Sequence, residues 1–375
     1  MSSGTRIAVV SVINDLSSDH RVQKTCSALM ESGYNVVLIG RELKHSKPLP
    51  GWPYTCIRMR LIFTQGPFFY VSFNIRLFFL LLNRKADLYY SNDLDTLWPN
   101  YTVSKLKGAA LVYDSHELFC EVPELLRSPL KKRIWQNLEA YLVPKLKNCI
   151  TVNESIARVF QEKYGVKFHS IRNIPDNTHL KIKKTRVELG LPQDKKIIIL
   201  QGAGINVDRG SEELVDAMKY IDNAILLIIG SGDIWPVLKE KIRNEELENK
   251  VHMIEKLPRQ DLLEYTHVAD LGISIDKGTN LNYQYSLPNK IFDYIHSGIP
   301  VLASRLTEIE HLVNQYQVGE FIENHQSVHI AERIRAMLAS DKLLIYRENT
   351  KAASAVLNWN LEKKKLLAVL NDLRR

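Results

Sequence analysis

The chain has 375 residues, of which 45% are hydrophobic and 25% charged. This is the composition of a soluble globular protein with room for two domains. Its longest apolar run, residues 77–82, is much shorter than the roughly 20 residues that span a bilayer, which argues against a transmembrane protein. The net charge of +8 is uneven, because residues 1–175 hold 23 basic and 14 acidic side chains, a net +9. This half is predicted either to meet an anionic partner or to carry an ordinary solvated basic face.

The beginning of the chain and its cysteines favour an intracellular protein. The stretch MSSGTRIAVVSVI lacks the long apolar segment and cleavage site of a signal peptide and predicts a first strand. The four cysteines show no metal-ligand spacing, so we expect reduced thiols. We expect a cytoplasmic protein that can also lie on the inner face of the cytoplasmic membrane.

The N-terminal half alternates strand-like and helix-like segments. Apolar, β-branched stretches predict strands, and helical spacing of apolar residues predicts helices between them. The strands are predicted at RIAVVSV, NVVLIG, TCIRMR, DLYYS, ALVYDS and CITVN, and the helices at 18–32, 71–84, 94–107 and 128–147.

The second half repeats this alternation after a polar, proline-containing stretch that predicts a linker. Strands are predicted at KIIILQG, AILLIIG, VHMIE, DLGISI and PVLAS, helices at 211–220, 234–247, 258–267, 288–297 and 306–315, and further helices over 327–373.

Strands separated by helices of this length predict parallel sheets covered on both faces. The predicted fold class is therefore α/β, with two Rossmann-like domains facing across a cleft. The predicted boundaries are 1–175 for the first domain, 176–195 for the linker, 196–355 for the second domain and 356–375 for a C-terminal helix.

The segment 196–218 has the pattern of an anion site. A buried strand leads into a loop with Gly204 and Gly210, then Arg209 and a helix. Glycines let the backbone approach a ligand, and a helix N-terminus and an arginine favour phosphate. A common strand–glycine–helix turn with a surface arginine remains the alternative, and GxxxxGK[ST] is absent from the sequence.

Two further segments are predicted to open onto the same edge of the second sheet. The turn that contains Gly232 follows a buried strand and is otherwise an ordinary tight turn. At Leu287, Pro288, Asn289 and Lys290 a helix begins, and Asp293 lies one short turn inside it. Such a carboxylate suits two ribose hydroxyls or simply complements the helix N-terminus.

Polar side chains also follow two strands of the first half. His116 comes directly after ALVYDS, between Asp114 and Glu117, and Asp93 and Asp95 follow DLYYS. A histidine between two carboxylates at a strand end favours a functional site, although a structural histidine and a helix-capping Asp95 remain open.

Residues 58–85 interleave arginines with phenylalanine and leucine. This composition suits a helix at an anionic membrane face, and a buried core helix flanked by surface charge is the alternative.

Together these motifs resemble family 4 glycosyltransferases. The resemblance rests on VINDLSSDHRVQKTCSALMESGYNVVLIGR, YSNDLDTL, VYDSHEL, LLIIGSGD and LPNKIFDYIHSGIPVLAS, which occur in the family's order over nearly the whole chain. It implies the GT-B architecture, with a nucleotide-sugar donor held by the C-terminal domain and an acceptor on the N-terminal side. It also implies that the last helix returns to the N-terminal domain.

The resemblance assigns roles to positions of this chain. His116 matches the residue that orients the donor sugar, Arg209 the residue on the diphosphate, and Asp293 the carboxylate that holds the ribose. Gly204 and Gly232 are also assigned to the donor side. Lys256 and Leu257 fall near the nucleobase, and Leu287, Pro288, Asn289 and Lys290 are expected to supply backbone donors. Asp19, Arg21, Asp93, Asp95 and Glu117 are assigned to the acceptor side.

Three positions depart from the family pattern. Tyr285 stands where the first Glu of the Glu–seven residues–Glu motif falls, and the second Glu is Asp293. Ala203 replaces a second basic residue, and NDLSSDHR replaces the Gly-Gly loop after the first strand. These changes bear on recognition of the sugar more than on the fold.

The resemblance implies a retaining, metal-independent transfer of a hexose to a glycan or lipid-linked acceptor, in synthesis of a cell-surface polysaccharide or glycoconjugate. No cofactor, metal or nucleic acid is expected, and an anionic membrane is the predicted further partner through residues 58–85. Two alternatives remain: a non-catalytic nucleotide-sugar-binding partner of a transferase, and a nucleotide-sugar epimerase of the same architecture.

Overall fold

The computed structural model describes residues 6–17, 19–176 and 181–373 of the chain. These residues form two compact units. The N-terminal unit comprises the described residues up to Asn173 and those from Glu362 onward, and the C-terminal unit comprises those between Ile174 and Leu361. The described residues of the predicted linker, 176 and 181–195, belong to the C-terminal unit. Residues 177–180 of that prediction lie outside the described residues.

The N-terminal unit is built on a seven-stranded parallel sheet with the strand order 3-2-1-4-5-6-7. Its strands are β1 (Arg6–Asp15), β2 (Tyr34–Glu42), β3 (Thr55–Arg60), β4 (Leu88–Asn92), β5 (Ala110–Ser115), β6 (Asn148–Thr151) and β7 (Phe168–Ser170). Its helices are α1 (His20–Glu31), α2 (Pro67–Leu82), α3 (Leu97–Lys107), α4 (Pro123–Leu126), α5 (Pro129–Leu142) and α6 (Glu154–Tyr164).

The C-terminal unit contains a six-stranded parallel sheet with the order 10-9-8-11-12-13. Its strands are β8 (Lys196–Gly202), β9 (Ala224–Gly230), β10 (Val251–Glu255), β11 (Leu271–Ser274), β12 (Val301–Ser304) and β13 (Gly319–Ile322). Its helices are α7 (Ser211–Ala217), α8 (Trp235–Asn244), α9 (Arg259–His267), α10 (Leu281–Gln284), α11 (Asn289–His296), α12 (Thr307–Tyr316), α13 (Ser327–Ala339) and α14 (Lys342–Val356), and α15 (Trp359–Asp372) follows.

Strand β8 shows why this unit forms a sheet covered on both faces. Ile198 and Leu200 belong to one buried apolar cluster, whereas Ile197 and Ile199 belong to another. Because successive side chains of a strand point to opposite faces, a continuous apolar run fills two cores at once. The α/β fold class predicted from the sequence is confirmed.

The strand order of each sheet defines where side chains of neighbouring strands can converge. The order reverses between β1 and β4 in the first sheet and between β8 and β11 in the second. In open α/β sheets, ligands bind beyond the carboxyl ends of the strands at such a reversal. A ligand site is therefore expected at the loops that follow these four strands.

The sequence patterns missed two strands. The three-residue β7 and the four-residue β13 are both edge strands of their sheets. Such short segments leave no measurable alternation of apolar and polar residues, and their pairing depends on the neighbouring strand.

Helix α2 is apolar on both of its faces. Phe69, Phe73, Leu77 and Leu81 are buried in the core of the N-terminal unit. The opposite face carries the exposed hydrophobic side chains of Phe68, Val71, Ile75 and Phe79. The burial of the first face agrees with the interpretation of residues 58–85 as a core helix, and contact of the second face with an anionic membrane stays a prediction. No helix in the described parts of the chain is both long and apolar enough to cross a membrane.

The first turn of α15 is tied to the rest of the N-terminal unit by one buried carboxylate. Glu362 is 4% exposed, and its Oε2 accepts a hydrogen bond of 2.9 Å from the backbone N–H of Arg172. Its Oε1 accepts from Lys365 Nζ at 2.8 Å, and Lys365 itself is 55% exposed.

Replacing Glu362 with Ala should therefore lower the free energy of unfolding by about 1–3 kcal/mol, because the partly buried backbone N–H of Arg172 loses its charged hydrogen-bond partner. The matched change Lys365→Ala removes only an exposed ion pair and should cost less than about 1 kcal/mol. Urea unfolding followed by tryptophan fluorescence measures both. Equal effects of the two changes would contradict the anchoring role of Glu362.

Candidate functional site

A cavity of about 230 Å³ lies at the reversal point of the C-terminal sheet. The loop after β8 forms one side, from Gly202 through Gly204 to Ile205. The side chains of Arg209 and Lys290 line it together with Pro288 and Asn289. Two cations and a glycine loop therefore share one small recess.

Asp276 holds the two cations in place. This residue follows β11, is fully buried, and also lines the cavity. Its Oδ1 lies 3.2 Å from Arg209 Nη1, and its Oδ2 lies 3.1 Å from Lys290 Nζ. Burial opposes the charged carboxylate, but Lys290 and Arg209 outweigh it and hold the pKa of Asp276 below its usual range. One negative charge thus positions two positive ones, which leaves the group net positive.

Arg209 is also held by an aromatic contact. Its guanidinium lies 4.2 Å from the ring centroid of Tyr283, and Nε is buried with no hydrogen-bond partner among the described residues. Stacking and the ion pair fix the plane of the guanidinium, as bidentate recognition of a phosphate requires.

The start of α11 adds backbone donors to this recess. Pro288 is the N-cap residue and makes no side-chain capping bond. The first N–H groups of a helix have no partner within it, and together with the helix dipole they favour an anion. Helix α11 is fixed by its buried face, which includes Ile291, Tyr294 and Ile295. The cavity therefore offers cations and backbone donors suited to a diphosphate.

The other predicted donor-side residues do not belong to the lining of this cavity. Leu257 and Leu287 are half-buried and pack against the same apolar cluster, whereas Lys256 is exposed. Gly232 lies against the backbone of Ile205, where an added Cβ would come within 1.9 Å of the carbonyl oxygen. Glycine is thus required there for packing. The roles of these four in donor binding stay predictions.

Asp293 is engaged within its own unit. It is 3% exposed, its Oδ2 accepts from Gln201 Nε2 at 2.9 Å, and Arg259 forms an ion pair with it. Gln201 is in turn bonded through its Oε1 to the hydroxyl of Thr266. The helix residue predicted to hold a ribose therefore also links α11 to β8 and α9, and its ribose contact stays a prediction.

A second polar cluster lies at the reversal point of the N-terminal sheet. His116 Nδ1 is 3.2 Å from Asp93 Oδ2, and Nε2 is 3.7 Å from Asp114 Oδ2 and 3.2 Å from Asn92 Oδ1. The backbone N–H of His116 donates to Asp93 Oδ1 at 2.8 Å. Asp93 has a φ of +59°, uncommon for a residue other than glycine, and such strain concentrates at functional sites.

These carboxylates fix the charge of the histidine. Burial alone disfavours the imidazolium, but Asp93 and Asp114 outweigh it and raise the pKa of His116 to about 10. Asp114 is also buried, and Arg21 and His116 hold its pKa well below the usual range despite that burial. The two carboxylates therefore favour the charged imidazolium at neutral pH.

Arg21 and Asp19, two further residues predicted on the acceptor side, both have hydrogen-bond partners within the N-terminal unit. Arg21 is 7% exposed and donates to Asp114 and to the carbonyl oxygen of Ile171. Asp19 caps α1 by accepting from the N–H of Val22. Both side chains thus have partners within their unit, and their contact with an acceptor stays a prediction.

Asp95 and Glu117 flank the histidine cluster. Asp95 is buried, its Oδ1 has no partner among the described residues, and burial and the nearby Asp93 raise its pKa well above the usual range. Glu117 is half-buried beside His116 in the chain.

Sequence reasoning missed three residues on which these two clusters depend. Asp276 follows β11 by two residues, so the rule that strand ends deliver polar side chains identifies it in principle. Asp114 is predicted as one of the two carboxylates beside His116, whereas its ion pair with Arg21 across 93 residues of sequence is not predicted. Gln201 lies inside an apolar strand, where nothing in the sequence distinguishes its role.

The described residues contain no group of three or more His, Cys, Asp or Glu side chains arranged to hold a metal ion. The four cysteines are free thiols.

The fold matches solved structures along nearly its whole length. Sucrose-phosphate synthase from Thermosynechococcus elongatus superposes with a TM-score of 0.82 at 15% identity, covering 98% of this chain and 99% of that one. HepE of Anabaena, solved in complex with UDP, superposes with a TM-score of 0.73 at 16% identity, covering 98% of this chain and all of that one. These structures are GT-B glycosyltransferases, and the fold of this chain is GT-B.

Sequence comparison defines the family. The model described as Glycosyltransferase Family 4 matches residues 20–176, and that of Glycosyl transferases group 1 matches residues 181–355. The chain therefore belongs to the family 4 glycosyltransferases. A curated relative, the chitobiosyldiphosphodolichol beta-mannosyltransferase of Candida albicans, is 23% identical over 52% of this chain. The match spans 46% of that protein, less than half of its length.

The charge of His116 gives a test of the N-terminal cluster. The ring proton resonances of His116 in an NMR titration should report a pKa of about 10. Asp93→Asn should lower that pKa, because it removes the carboxylate that stabilises the imidazolium most. Since the folded pKa lies above the ordinary value of 6.5, this group stabilises the fold fully below about pH 6.5, and the contribution is lost as pH rises through 10.

The matched change for this titration is Glu124→Gln, which removes an exposed carboxylate from the same unit and should leave the resonance unchanged. A wild-type resonance that titrates near 6.5 would show that the imidazole is not held between the two carboxylates.

Proposed function

We propose that this chain is a retaining glycosyltransferase that moves a hexose from a nucleoside diphosphate sugar to a glycan or lipid-linked acceptor. The observation that carries the proposal is the convergence of Arg209 and Lys290 on Asp276 in the C-terminal cavity. Two cations that are held by ion pairs, together with the N-terminus of α11, suit the diphosphate of such a donor.

In the proposed reaction, the bond between the anomeric carbon and the diphosphate oxygen breaks, and its electron pair remains on the diphosphate. Arg209, Lys290 and backbone N–H groups stabilise the charge that develops there. The acceptor hydroxyl attacks the same face of the sugar, and its proton passes to the departing phosphate oxygen. This front-face route needs no nucleophile from the protein and no metal ion, because the protein's cations supply the positive charge.

The same arrangement explains why Tyr285 is compatible with catalysis. Tyr285 takes the place of a carboxylate that contacts the sugar in the family pattern, whereas the proposed charge stabilisation acts on the diphosphate. A phenol offers one hydroxyl where a carboxylate offers two acceptor oxygens. We therefore propose that Tyr285 affects which sugar is bound rather than whether transfer occurs.

The proposed acceptor is one attached to a lipid, and the proposed setting is cell-surface polysaccharide or glycoconjugate synthesis on the inner face of the cytoplasmic membrane. The name of the Candida albicans relative specifies a diphosphodolichol-linked acceptor. In this chain the exposed apolar face of α2 and the net +9 charge of residues 1–175 favour contact with an anionic bilayer.

Donor hydrolysis distinguishes this proposal from a non-catalytic nucleotide-sugar-binding protein. The wild type should release sugar slowly from one of the UDP, GDP or ADP sugars, and Arg209→Ala and Lys290→Ala should each lower that rate about 100-fold, because each removes a cation from the developing charge. Product analysis by chromatography also separates hydrolysis from epimerisation.

The control for these two variants is Lys277→Ala. Lys277 lies beside Asp276 in the chain but pairs with Glu213 outside the cavity lining. Its loss should leave the rate unchanged. If Lys277→Ala lowers the rate as much as Lys290→Ala, or if no donor is turned over, the proposed catalytic role fails.

Contact with a membrane has its own test. Phe68 and Phe79 are 70% and 56% exposed on α2, and replacing both with Ser should weaken flotation with phosphatidylglycerol-containing vesicles at least about tenfold, because burial of each ring is worth about 1.5–3 kcal/mol. The control replaces Leu344 and Ile345 of α14, which are 72% and 58% exposed. Absence of wild-type binding at low salt, or equal loss in both double variants, argues against the membrane face.

A further inference from the structure

A second, larger cavity lies within the N-terminal unit. Its volume is about 670 Å³, within the range of roughly 300–1,000 Å³ usual for small-molecule sites. Helices α2 and α5 form its walls, the start of α3 and the segment that includes α4 complete it, and its lining is mostly aromatic and aliphatic. None of the proposed donor contacts involves this cavity, so its lining needs a separate explanation.

The floor of this cavity is rigid. The ring of Trp135 lies 5.1 Å from that of Tyr70 and 4.8 Å from that of Phe119, both in edge-to-face arrangements. Such aromatic pairs add about 0.5–1.5 kcal/mol beyond their burial, so the recess is preformed rather than opened by a ligand.

The rim is open and apolar. Val71 and Ile134, which line the cavity, are 55% and 59% exposed, and Trp98 is 39% exposed. The exposed face of α2 continues from Val71 to Ile75 and Phe79. A contiguous apolar surface of this kind marks a place where another apolar group binds.

One side of the cavity reaches the histidine cluster. Glu117, the residue after His116, lines it. Asn74 lines it too, and its Nδ2 donates to the backbone oxygen of Asp95 at 2.9 Å. Asp95 also carries a buried carboxylate oxygen with no partner among the described residues. A ligand in this recess therefore lies beside groups that we assign to the acceptor side.

Charged side chains lie at the edge of the cavity. Glu117, Glu124 and Lys131 belong to its lining, and Arg127 and Arg133 are exposed nearby in the chain. Because acidic and basic side chains are mixed there, the apolar part of the lining defines the class of ligand, which is an apolar chain whose polar head stays at the edge.

We propose that this cavity binds the hydrocarbon chain of a lipid-linked acceptor and so selects acceptors by their lipid as well as by their sugar. The proposal rests on the glycosyltransferase function proposed above, which supplies the need for an acceptor. A single hydrocarbon chain is the proposed occupant, because a recess of about 670 Å³ has the volume of one small-molecule site.

The two tryptophans of the cavity, Trp98 and Trp135, provide a direct readout. A fatty acid with a nitroxide on its chain, used below its critical micelle concentration, should quench their fluorescence saturably. Nitroxide quenching acts only at short range, so it reports a chain in the recess. The measurement needs neither donor nor acceptor sugar.

A matched pair of variants separates the recess from the surrounding apolar face. Ile134→Gln places an amide in the lining and should weaken the probe about tenfold, because a bound hydrocarbon chain would cover this amide and leave it without a hydrogen-bond partner. Ile75→Gln makes the same change at a residue that is 49% exposed on α2 but does not line the cavity, and it should leave the affinity unchanged. Quenching that does not saturate, or equal weakening in both variants, would overturn the proposal.

Competition identifies the source of the chain. Farnesyl phosphate, a single isoprenoid chain on a phosphate, should displace the probe, whereas dihexanoylphosphatidylglycerol, a two-chain membrane lipid, should not. Displacement by the phospholipid alone or by both equally would assign the cavity to bulk membrane lipid and overturn the acceptor assignment. Normal donor hydrolysis without saturable quenching would refute this proposal alone, whereas quenching without hydrolysis would refute the catalytic function on which it rests.

Discussion

The C-terminal unit depends on one electrostatic constraint, the burial of the Asp276 carboxylate at the end of β11. An ionised carboxylate removed from water costs several kcal/mol unless cations and hydrogen bonds compensate it. Lys290 and Arg209 provide this compensation from α11 and from the loop before α7. Because the carboxylate cannot remain without them, the two cations are held at the sheet edge before any ligand arrives. A site for an anion is thereby preorganised by the requirements of folding itself.

The N-terminal unit uses the same principle with different partners. Asp114, at the end of β5, is compensated by Arg21 from α1 and by His116, and it also accepts from the hydroxyl of Tyr90 at 2.8 Å. Here the arginine is itself buried, so it stabilises the unit rather than offering its charge outward. The histidine is 17% exposed and remains a candidate for contact with a ligand. The carboxylate of Asp114 is thus paired with a buried, mainly structural arginine, whereas that of Asp276 is paired with two cations that line a cavity.

The order of strands and helices was largely readable from the sequence, because buried strands such as β9 are continuous apolar runs bounded by glycines and turns. The strand–glycine–helix pattern predicts Arg209 at an anion site, whereas Lys290 is predicted only as a backbone donor, and the pairing of its side chain with Asp276 is not predicted. Their common partner was not predictable, since Asp276 and Arg209 are 67 residues apart and only the strand order brings them together. The interaction of Asp293 with Gln201 and Arg259 likewise depends on how α9 and α11 pack on β8. Local patterns thus identified residues that end strands and begin helices, whereas the pairing of buried charges required the tertiary structure.

The two apolar faces of α2 have a consequence for how this protein can change over evolution. The inward residues, including Phe73 and Leu77, are fully buried and account for the packing of the helix, whereas the outward residues Phe68 and Ile75 contribute little to that packing. Substitutions on the outer face therefore leave folding nearly intact and act on whatever that face touches. A descendant of this chain could replace the outer apolar residues with polar ones, and so lose whatever contacts this face makes, without any change in its core. The outer residues of α2 can thus change during evolution independently of the residues that pack the core.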